Sequence, residues 1–306
     1  MDTKVSYAAA QLQRLGMLSC TGDEARAFLH AQLTNDVDGM GAERARYAGW
    51  CSAKGRLQAS FLVVPHAQGF LLQVSRDIAP AVAKRLGMYI LRAKARLADA
   101  SEGWAQIGLW GPGAAERLAA LGMPVPPDEL AVARAGDAAV IKVAHQRYLI
   151  AMPVALRARM ADALQETGDE DWALEEIRAG RALIVQATQD LFVPQMVNFE
   201  RLGAIDFKKG CYPGQEIVAR TQYRGVLKRR LVRARLRTGA APGDELYAAD
   251  LPGQASGTVV NAAPAPEGGS ELLAVVQISS LESASAIRLG AVDGPPLELL
   301  PLPAAA

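Results

Sequence analysis

The chain has 306 residues, of which 50% are hydrophobic and 21% are charged, so it is long enough to bury a large core and to form two or three modules. A formal net charge of +1 gives no overall field for a polyanion, and no apolar run approaches the roughly 20 residues that span a bilayer. The chain also does not open with a basic segment followed by an apolar one, so we expect a folded protein of the cytoplasm without a membrane segment.

The first part of the chain has the pattern of an α+β layer. Thr21-Gly-Asp-Glu24 has the form of a capping box, which predicts that a helix begins at about 23. Apolar periodicity and turn residues predict these elements in order: a helix at 23–33, a strand at Tyr47–Cys51, a hairpin of Ser60–Val64 and Phe70–Val74 around the loop Pro65–Gly69, and a helix from Ile78 to Tyr89.

The middle of the chain has a similar texture. It predicts strands at Ala139–Ala144 and Tyr148–Met152, and helices at Val154–Glu166 and Trp172–Arg178. Between the two stretches, Leu121–Pro127 contains a glycine and three prolines, so it continues neither a helix nor a central strand. We expect this segment to connect two α+β modules.

Beyond Gly225 the chain changes character. Short strands are predicted at Leu227–Leu236, Glu245–Tyr247, Gly257–Val260, Leu272–Ile278 and Ile287–Leu289. Pro-Gly and Gly-Gly steps between them are typical of a small β-barrel or sandwich, and the tail from Pro295 onward is expected to fray at its Ala-rich end. The predicted organisation is therefore a region 1–225 with two α+β modules and a C-terminal β-barrel domain over 226–306.

A basic run spans the start of that barrel. It consists of Arg224, Lys228, Arg229, Arg230, Arg233, Arg235 and Arg237. Arg233, Arg235 and Arg237 alternate with apolar residues, so they share one face of a strand. This face is either a solvated outer surface of the barrel or a weak contact for RNA or for an acidic partner.

The three cysteines, Cys20, Cys51 and Cys211, form no CxxC pair and leave an odd thiol. This pattern argues against a disulfide framework and against a closed zinc or cluster site within the chain, so no metal is expected. The three histidines are scattered without the spacing of metal ligands, and no role is assigned to them.

The densest chemistry lies between Phe207 and Thr221, where lysines, glycines, a thiol, an amide, an acid and an arginine occur within one short stretch. Gly210 and Gly214 allow backbone conformations closed to other residues and let a ligand approach the main chain, and Pro213 stiffens the turn between them. Gln215–Arg220 is predicted as a helix whose first N–H groups can face a carboxylate or an electron-rich ring.

Two cations, Lys208 and Lys209, precede Cys211 in this stretch. Such neighbours favour the thiolate form of a cysteine, so Cys211 is the candidate reactive group. From spacing alone, a tight Gly-Pro turn with ordinary surface charges stays an open alternative.

The stretch resembles a known family. Lys209–Glu216 reads K-G-C-Y-P-G-Q-E, which matches the K-G-C-[FY]-x-G-Q-E signature of the YgfZ family, whose mitochondrial relatives act in iron–sulfur assembly. Phe28–Val37, Ser52–Gly55 and Pro194–Asn198 are similar to further blocks of that family. The resemblance covers roughly residues 15 to 225 by motif.

The resemblance implies an α+β fold like the aminomethyltransferase of the glycine-cleavage system: two α+β modules and a C-terminal antiparallel β-barrel around a central cavity that holds tetrahydrofolate. It implies an accessory protein for assembly or repair of iron–sulfur clusters in client enzymes, including radical enzymes that modify tRNA. Its partners would be reduced folate and iron–sulfur client or assembly proteins. Besides Cys211, the implied folate-binding or signature residues are Lys209, Gly210, Tyr212, Gly214, Gln215, Glu216, Arg220, Asn198, Asn35 and Asp36.

Two departures from the aminomethyltransferase bear on activity. That enzyme has paired aspartates after its equivalent of Lys54-Gly55, where this chain has Gln58-Ala-Ser60. It also has a glutamate, similar to a pterin anchor, where this chain has Arg178, which accepts no hydrogen bond. A protein without turnover is therefore expected, with a folate-dependent one-carbon transferase as the alternative and a scaffold needing neither folate nor thiol as a third possibility.

Overall fold

The structure is a computed structural model that describes residues 6–161, 164, 167–223, 225 and 227–303. Its described residues form two compact units that interleave along the sequence. Unit 1 comprises Met1–Leu29, Val37–Arg46 and Phe61–Trp172, and unit 2 comprises His30–Asp36, Tyr47–Ser60 and Ala173–Ala306. The predicted boundary between residues 225 and 226 stays a prediction.

The first half of the chain builds two antiparallel five-stranded sheets. Its elements are β1 (Ala8–Gln11), β2 (Leu15–Thr21), α1 (Ala25–Gln32), β3 (Arg46–Cys51), β4 (Leu57–His66), β5 (Gly69–Ser75), α2 (Ala79–Gly87), β6 (Arg96–Asp99), β7 (Trp104–Trp110), α3 (Ala114–Ala120), β8 (Val132–Ala135), β9 (Ala138–Ala144), β10 (Arg147–Pro153) and α4 (Val154–Ala161). The sheet orders are β1-β7-β10-β9-β8 and β3-β4-β5-β2-β6. Within unit 1, Ile107, Leu109, Val140 and Ile150 are fully buried in one core.

Most predicted elements of this half are present, with differences at their ends. The helix predicted to Tyr89 ends at Gly87, and the helix predicted from Val154 is α4, which is described over Val154–Ala161. Residues 162, 163, 165 and 166 of that prediction lie outside the described residues. No regular element covers the predicted connection Leu121–Pro127.

Two local predictions were wrong. The hairpin loop is shorter than expected, because Pro65 pairs with Phe70 and His66 with Gly69, which leaves only two residues in the turn. The capping box does not form, because Thr21 is the last residue of β2 and pairs with Gly69 on one side. The Glu24 carboxylate instead accepts the backbone N–H of Lys94. Strand pairing therefore takes priority over the local cap.

The second half contains α5 (Asp169–Arg178), 3₁₀ turns at Gln186–Thr188 and Pro194–Val197, α6 (Gln215–Tyr223), β11 (Arg229–Leu236), β12 (Glu245–Tyr247), β13 (Ala255–Pro264), β14 (Ser270–Gln277), α7 (Ile278–Glu282), β15 (Arg288–Leu289) and β16 (Glu298–Leu300). The last six strands form one antiparallel sheet in the order β15-β12-β13-β14-β11-β16. All five predicted strands of this region are present. β16 was not predicted, because prolines flank it on both sides.

The two edges of this sheet meet, which closes it. Arg288 of β15 forms a bridge with Pro296, and the N–H of Leu297 donates to the carbonyl of Ile287 at 2.8 Å. The chain then continues directly into β16, which pairs with β11. The predicted antiparallel β-barrel is confirmed. One buried cluster joins the barrel to the part of unit 2 that precedes it. It includes Leu231 of β11, Val275 of β14, Val218 of α6, and Phe192 and Phe199 from the segment before α6.

Candidate functional site

The first half of the signature loop is fixed by its own hydrogen bonds within unit 2. The Asp206 carboxylate accepts the backbone N–H groups of Lys208 and Lys209 at 2.7 and 3.1 Å. The ammonium of Lys209 donates to the carbonyls of His30 and Leu33, the latter at 2.7 Å. Lys209 therefore supplies hydrogen bonds to carbonyls at the C-terminal end of α1, where a cation is favoured.

Lys209 also lies over an aromatic ring of the same loop. Its Nζ is 4.9 Å from the ring centre of Tyr212, a residue that is only 7% exposed. Burial raises the pKa of the Tyr212 phenol above its usual range, with smaller contributions from Cys51 and Asp206, so the ring stays neutral. Within the loop, Lys209 is thus engaged by carbonyls and a ring, whereas the sequence placed it as a cation beside Cys211.

The cysteines differ in exposure. Cys211 is exposed, whereas Cys20 and Cys51 are buried. Burial raises the pKa of both Cys20 and Cys51 to about 12, so these two thiols stay protonated at neutral pH. The expected contrast between one accessible thiol and two buried ones is present, and the role of Cys211 stays a prediction.

The two glycines of the signature behave differently. Gly214 has φ +77°, and a Cβ at this position would lie 2.4 Å from the Ser52 carbonyl oxygen and 2.6 Å from the Gly55 Cα. The blocks Ser52–Gly55 and Lys209–Glu216 therefore pack backbone against backbone in unit 2. At Gly210, φ is not positive, and a Cβ would meet only the Nε2 of His30 at 3.7 Å. Of the two glycines, Gly214 therefore uses this backbone freedom and Gly210 does not.

His30, to which the sequence assigned no role, lies beside this loop. Its Nδ1 is 3.1 Å from a carboxylate oxygen of Asp36, while its Nε2 is the nearest atom to the position that a Cβ would take at Gly210. The only sequence signal for this arrangement is the spacing of six residues between His30 and Asp36, which is too common to be informative.

Asn35, which the family resemblance implicated in the site, is 5% exposed and links two segments of unit 2. Its amide nitrogen donates to the carbonyls of Tyr47 and Gly203, both at 2.7 Å, and its oxygen accepts the N–H of Asp36 at 2.9 Å. The neighbouring Thr34 hydroxyl donates to the Ala204 carbonyl at 2.7 Å. The side chain of Asn35 therefore holds the segment that leads into the signature loop.

The second half of the signature begins α6. The Gln215 side chain makes only long contacts, at 3.5 and 3.4 Å, to the carbonyls of Lys209 and Gly210. Glu216 and Arg220 are exposed on the same helix. The predicted helix is confirmed and extends to Tyr223.

Asn198 belongs to a different network of unit 2. It is 9% exposed, has a left-handed backbone with φ +59°, and its side-chain oxygen accepts from the Arg230 guanidinium at 3.3 Å. Arg230 also pairs with Glu200 at 2.5 Å. Gln195 ties this segment to α6, because its amide nitrogen donates to the Val218 carbonyl at 2.7 Å. Asn198 thus lies against a cation, with its oxygen already accepting a hydrogen bond.

An acid lies at the place where the sequence indicated none. Gln58 is 3% exposed, and its amide donates to the Asp190 carboxylate at 2.7 Å. The Ser52 hydroxyl donates to the same oxygen at 3.0 Å, while the Ser60 hydroxyl accepts the Ile184 N–H at 2.9 Å. The sequence at 58–60 has no acid, but Asp190 from a distant part of unit 2 brings a carboxylate to Gln58.

Arg178, which occupies the position of the enzyme's pterin anchor, is part of an ion-pair cluster. Its guanidinium lies 2.9 Å from Glu271 and 3.1 Å from Glu175. Glu271 is 1% exposed. Burial alone would raise its pKa, but hydrogen bonds and charge from Arg178 and Arg233 outweigh that effect and lower it. Arg178 therefore compensates a buried acid of β14.

The same cluster engages two arginines of the predicted basic face. Arg233 lies 3.1 Å from Glu271, and Arg235 lies 2.7 Å from Glu267. Arg237 is exposed at the end of β11. The weak RNA contact predicted for these three residues stays a prediction, but two of them are neutralised by acids of the same barrel.

Two further observations concern the whole described chain. Over residues 6–303, apart from the few positions outside the described set, no group of three or more His, Cys, Asp or Glu side chains is placed to hold a metal ion. None of the described helices is long and apolar enough to cross a membrane.

Comparison with known proteins agrees with this fold. Residues 2–151 match the model of the GCVT N-terminal domain. The solved aminomethyltransferase T of the glycine cleavage system from Bartonella henselae superposes with a TM-score of 0.79 at 16% identity, covering 98% of this chain and 87% of that one. The fold is therefore that of an aminomethyltransferase-like protein.

Sequence relatives narrow the assignment. The chain is 33% identical over 303 residues to the tRNA-modifying protein YgfZ of Edwardsiella ictaluri, covering 94% of this chain and 89% of the relative. It is 30% identical over 231 residues to the protein of that name from Vibrio vulnificus strain YJ016, covering 74% and 69%, and 28% identical over 302 residues to that from Serratia proteamaculans, covering 95% and 91%. The chain belongs to the YgfZ family.

Proposed function

We propose that this chain is a folate-binding accessory protein of the cytoplasm that supports assembly or repair of iron–sulfur clusters in client enzymes, including radical enzymes that modify tRNA. The observation that carries the proposal is the signature loop. It presents the exposed thiol of Cys211 on a backbone that is fixed on both sides, by Asp206 and Lys209 before it and by Gly214 after it. The relatives carry the name tRNA-modifying protein, which supports a role in that process.

A reduced folate has a pterin with N–H donors, which need acceptors, and a glutamyl tail, which needs cations. Among the described residues the Gln215 amide makes long hydrogen bonds to Lys209 and Gly210, so it can turn to a ligand, and Arg220 is an exposed cation five residues further on in α6. These two residues fit the group. Lys209 and Asn198 fit less well, because their polar atoms already bind carbonyls and a guanidinium.

In this proposal Gln215 orients the pterin and Arg220 holds the glutamyl tail, while the buried Tyr212 stays neutral beneath Lys209. Folate supplies a carrier for one-carbon units when bound. Cys211 is the proposed working group, in contact with a cluster, a folate adduct or a partner thiol of a client. The remaining residues proposed for the folate-binding or signature set include Asn35, Asp36, Gly210 and Glu216.

Two measurements test the proposal. Calorimetry under anaerobic conditions should show binding of tetrahydrofolate to the wild-type chain, and Gln215→Ala should weaken it while the melting temperature is unchanged. In a strain that lacks its YgfZ gene, wild-type protein should restore the activity of a radical tRNA-modifying enzyme, whereas Cys211→Ser should not. Absence of binding by folded protein would remove the folate part, and full rescue by Cys211→Ser would remove the thiol part.

A second candidate function is a folate-dependent one-carbon transferase, and Asp190 favours it. This carboxylate is exposed and is oriented by the Ser52 hydroxyl and the Gln58 amide near the position of the aspartates of the aminomethyltransferase. An assay for tetrahydrofolate-dependent aminomethyl transfer or demethylation separates the two candidates. Turnover that disappears in Asp190→Asn would favour the transferase, and no turnover by wild type would favour the accessory role.

A further inference from the structure

An apolar turn of unit 1 is exposed to solvent. It follows α2, and its side chains Met88, Tyr89 and Leu91 are 63%, 52% and 89% exposed. Leu91 has a left-handed backbone with φ +48°, which is uncommon for a residue with a branched side chain and suggests a functional constraint. Burying these side chains against a partner would remove a large apolar area from water.

The turn is ordered by its backbone. Successive N–H groups of Met88, Tyr89 and Ile90 donate to carbonyls three residues earlier, at 3.3, 3.1 and 3.1 Å. The N–H of Ala93 then donates to the Ile90 carbonyl at 2.8 Å. The apolar side chains are therefore presented at fixed positions, which lowers the entropic cost of binding.

Cations surround this turn. From Ile78 to Ala98 the chain has five basic residues and no acidic one: Lys84, Arg85, Arg92, Lys94 and Arg96, all exposed. Because these five belong to a total of 33 Lys and Arg, the rest of the chain has 28 basic against 32 acidic residues. The surface of Lys84–Arg96, called here the basic turn, is thus a local positive region on a chain that is otherwise net negative.

The cations lie on both sides of the apolar turn along the chain. Lys84 and Arg85 lie on the last turn of α2, Arg92 and Lys94 follow the apolar turn, and Arg96 begins β6, the edge strand of its sheet. Acids near this surface include Asp23 and Glu24, exposed near the Lys94 end, where the Glu24 carboxylate accepts the Lys94 backbone N–H. Asp77 and Asp99 flank the segment in sequence, and their carboxylates accept hydrogen bonds from Ser75 and Ser101. Exposed cations on both sides of an exposed aromatic ring fit an unpaired stretch of polynucleotide.

We propose that the basic turn is an RNA-binding surface, in which the ring of Tyr89 stacks on an unpaired base while the cations of Lys84–Arg96 contact phosphates. The choice of RNA over another polyanion rests on the proposed role in tRNA modification. The barrel arginines are weaker candidates for this contact, because Arg233 and Arg235 already pair with Glu271 and Glu267. Stacking is tolerant of base identity, so the surface would recognise exposed loops of RNA and not one sequence.

Fluorescence anisotropy with a labelled, unmodified tRNA transcript tests this proposal on the full chain. Tyr89→Ala should weaken binding by about 5- to 100-fold, the range expected for one stacked base, with an unchanged salt slope. The double variant Arg92→Glu with Lys94→Glu should weaken binding at low salt by at least about tenfold and reduce the salt slope by about 1.5 to 2. The matched control Arg237→Glu changes an exposed cation of the barrel and should leave both quantities unchanged.

Three results would overturn the proposal: no binding of the transcript by folded wild-type protein at low salt, a loss in Arg237→Glu as large as in the double variant, or binding that survives Tyr89→Ala and the double variant. Vesicles containing phosphatidylglycerol serve as a second probe. If they bind the basic turn while the transcript does not, the surface is for membranes and the RNA proposal fails. Since no folate is present in these assays, their failure would leave the proposed folate function untouched.

Discussion

Replacing Gly214 by alanine should strongly destabilise the chain, whereas the same change at Gly210 should not. Gly214 has φ +77°, and a left-handed backbone costs a residue with a Cβ about 1–2 kcal/mol. The added Cβ would also lie 2.4 Å from the Ser52 oxygen and 2.7 Å from the Gly55 nitrogen, both backbone atoms that cannot turn away. Relieving such overpacking costs a further 1–3 kcal/mol or so, which gives about 2–5 kcal/mol in total.

Differential scanning calorimetry of the two variants measures this effect. Gly214→Ala should lower the melting temperature by roughly 5–15 °C, given a few degrees for each kcal/mol in a chain of this size. At Gly210 the new Cβ would make only an ordinary contact, at 3.7 Å from His30, so stability should stay within about 1 kcal/mol or rise slightly. If Gly214→Ala melts at the same temperature as the wild type, or if Gly210→Ala lowers the melting temperature by as much as Gly214→Ala, the backbone packing of the two blocks is not what fixes the loop.

Three further substitutions test other parts of unit 2. Cys211→Ser should change the free energy of unfolding by about 1 kcal/mol or less, since the thiol is exposed. In the wild-type protein, Cys211 should be the first thiol labelled at neutral pH, whereas buried Cys51 should label only on unfolding. Labelling of Cys51 first would contradict this. Lys209→Met keeps the aliphatic stem but removes the donor to two carbonyls at the end of α1, so chemical denaturation should show a loss of about 1–3 kcal/mol, and no loss would mean that these contacts contribute little. Glu271→Gln should cost about 1–3 kcal/mol, because two partly buried arginines lose the counter-charge and charge-assisted hydrogen bonds of a buried acid. Because the pKa of Glu271 is lowered in the folded state, the ionised carboxylate stabilises the fold above pH 4.5, and this stabilisation is lost as the pH falls below 4.5 through the folded pKa. Glu271→Gln should therefore flatten the acid side of the plot of stability against pH. An unchanged plot would refute the assignment.

Periodicity predicted several of the buried strands but missed others, such as β2 and β7. The strands at 139–144, 148–152 and 272–278 are nearly continuous apolar runs, and each is present within a residue or two of its predicted ends. β16 escaped because its three residues lie among prolines, and its partner β11 is far away in the sequence. The capping box at Thr21 failed for a related reason: its local signal was sound, but pairing with Gly69 and Arg96 extends β2 through that position.

The signature loop shows a similar limit for the site. The motif itself gave the exposed thiol, the tight glycine at 214 and the helix that follows. The partners of its side chains were beyond reach, because Lys209 bonds carbonyls 179 and 176 residues earlier in the chain. Asp190 likewise meets Gln58 across 132 residues. Because Lys209 is close to Cys211 in sequence, the motif indicates a cation beside the thiol. In the structure, the four-carbon side chain of Lys209 instead reaches carbonyls that are distant in sequence.

The interleaving of the two units has a consequence for synthesis on the ribosome. Thr34 emerges 170 residues before Ala204, whose carbonyl its hydroxyl binds, and Leu57 emerges long before Val275, with which it shares a core. Unit 2 can therefore close only when the end of the chain has been released, and such long-range closure is slow. Until then the apolar side chains of 47–60 have no final partners, which makes the nascent chain a substrate for chaperones and makes truncation near 225 a route to aggregation.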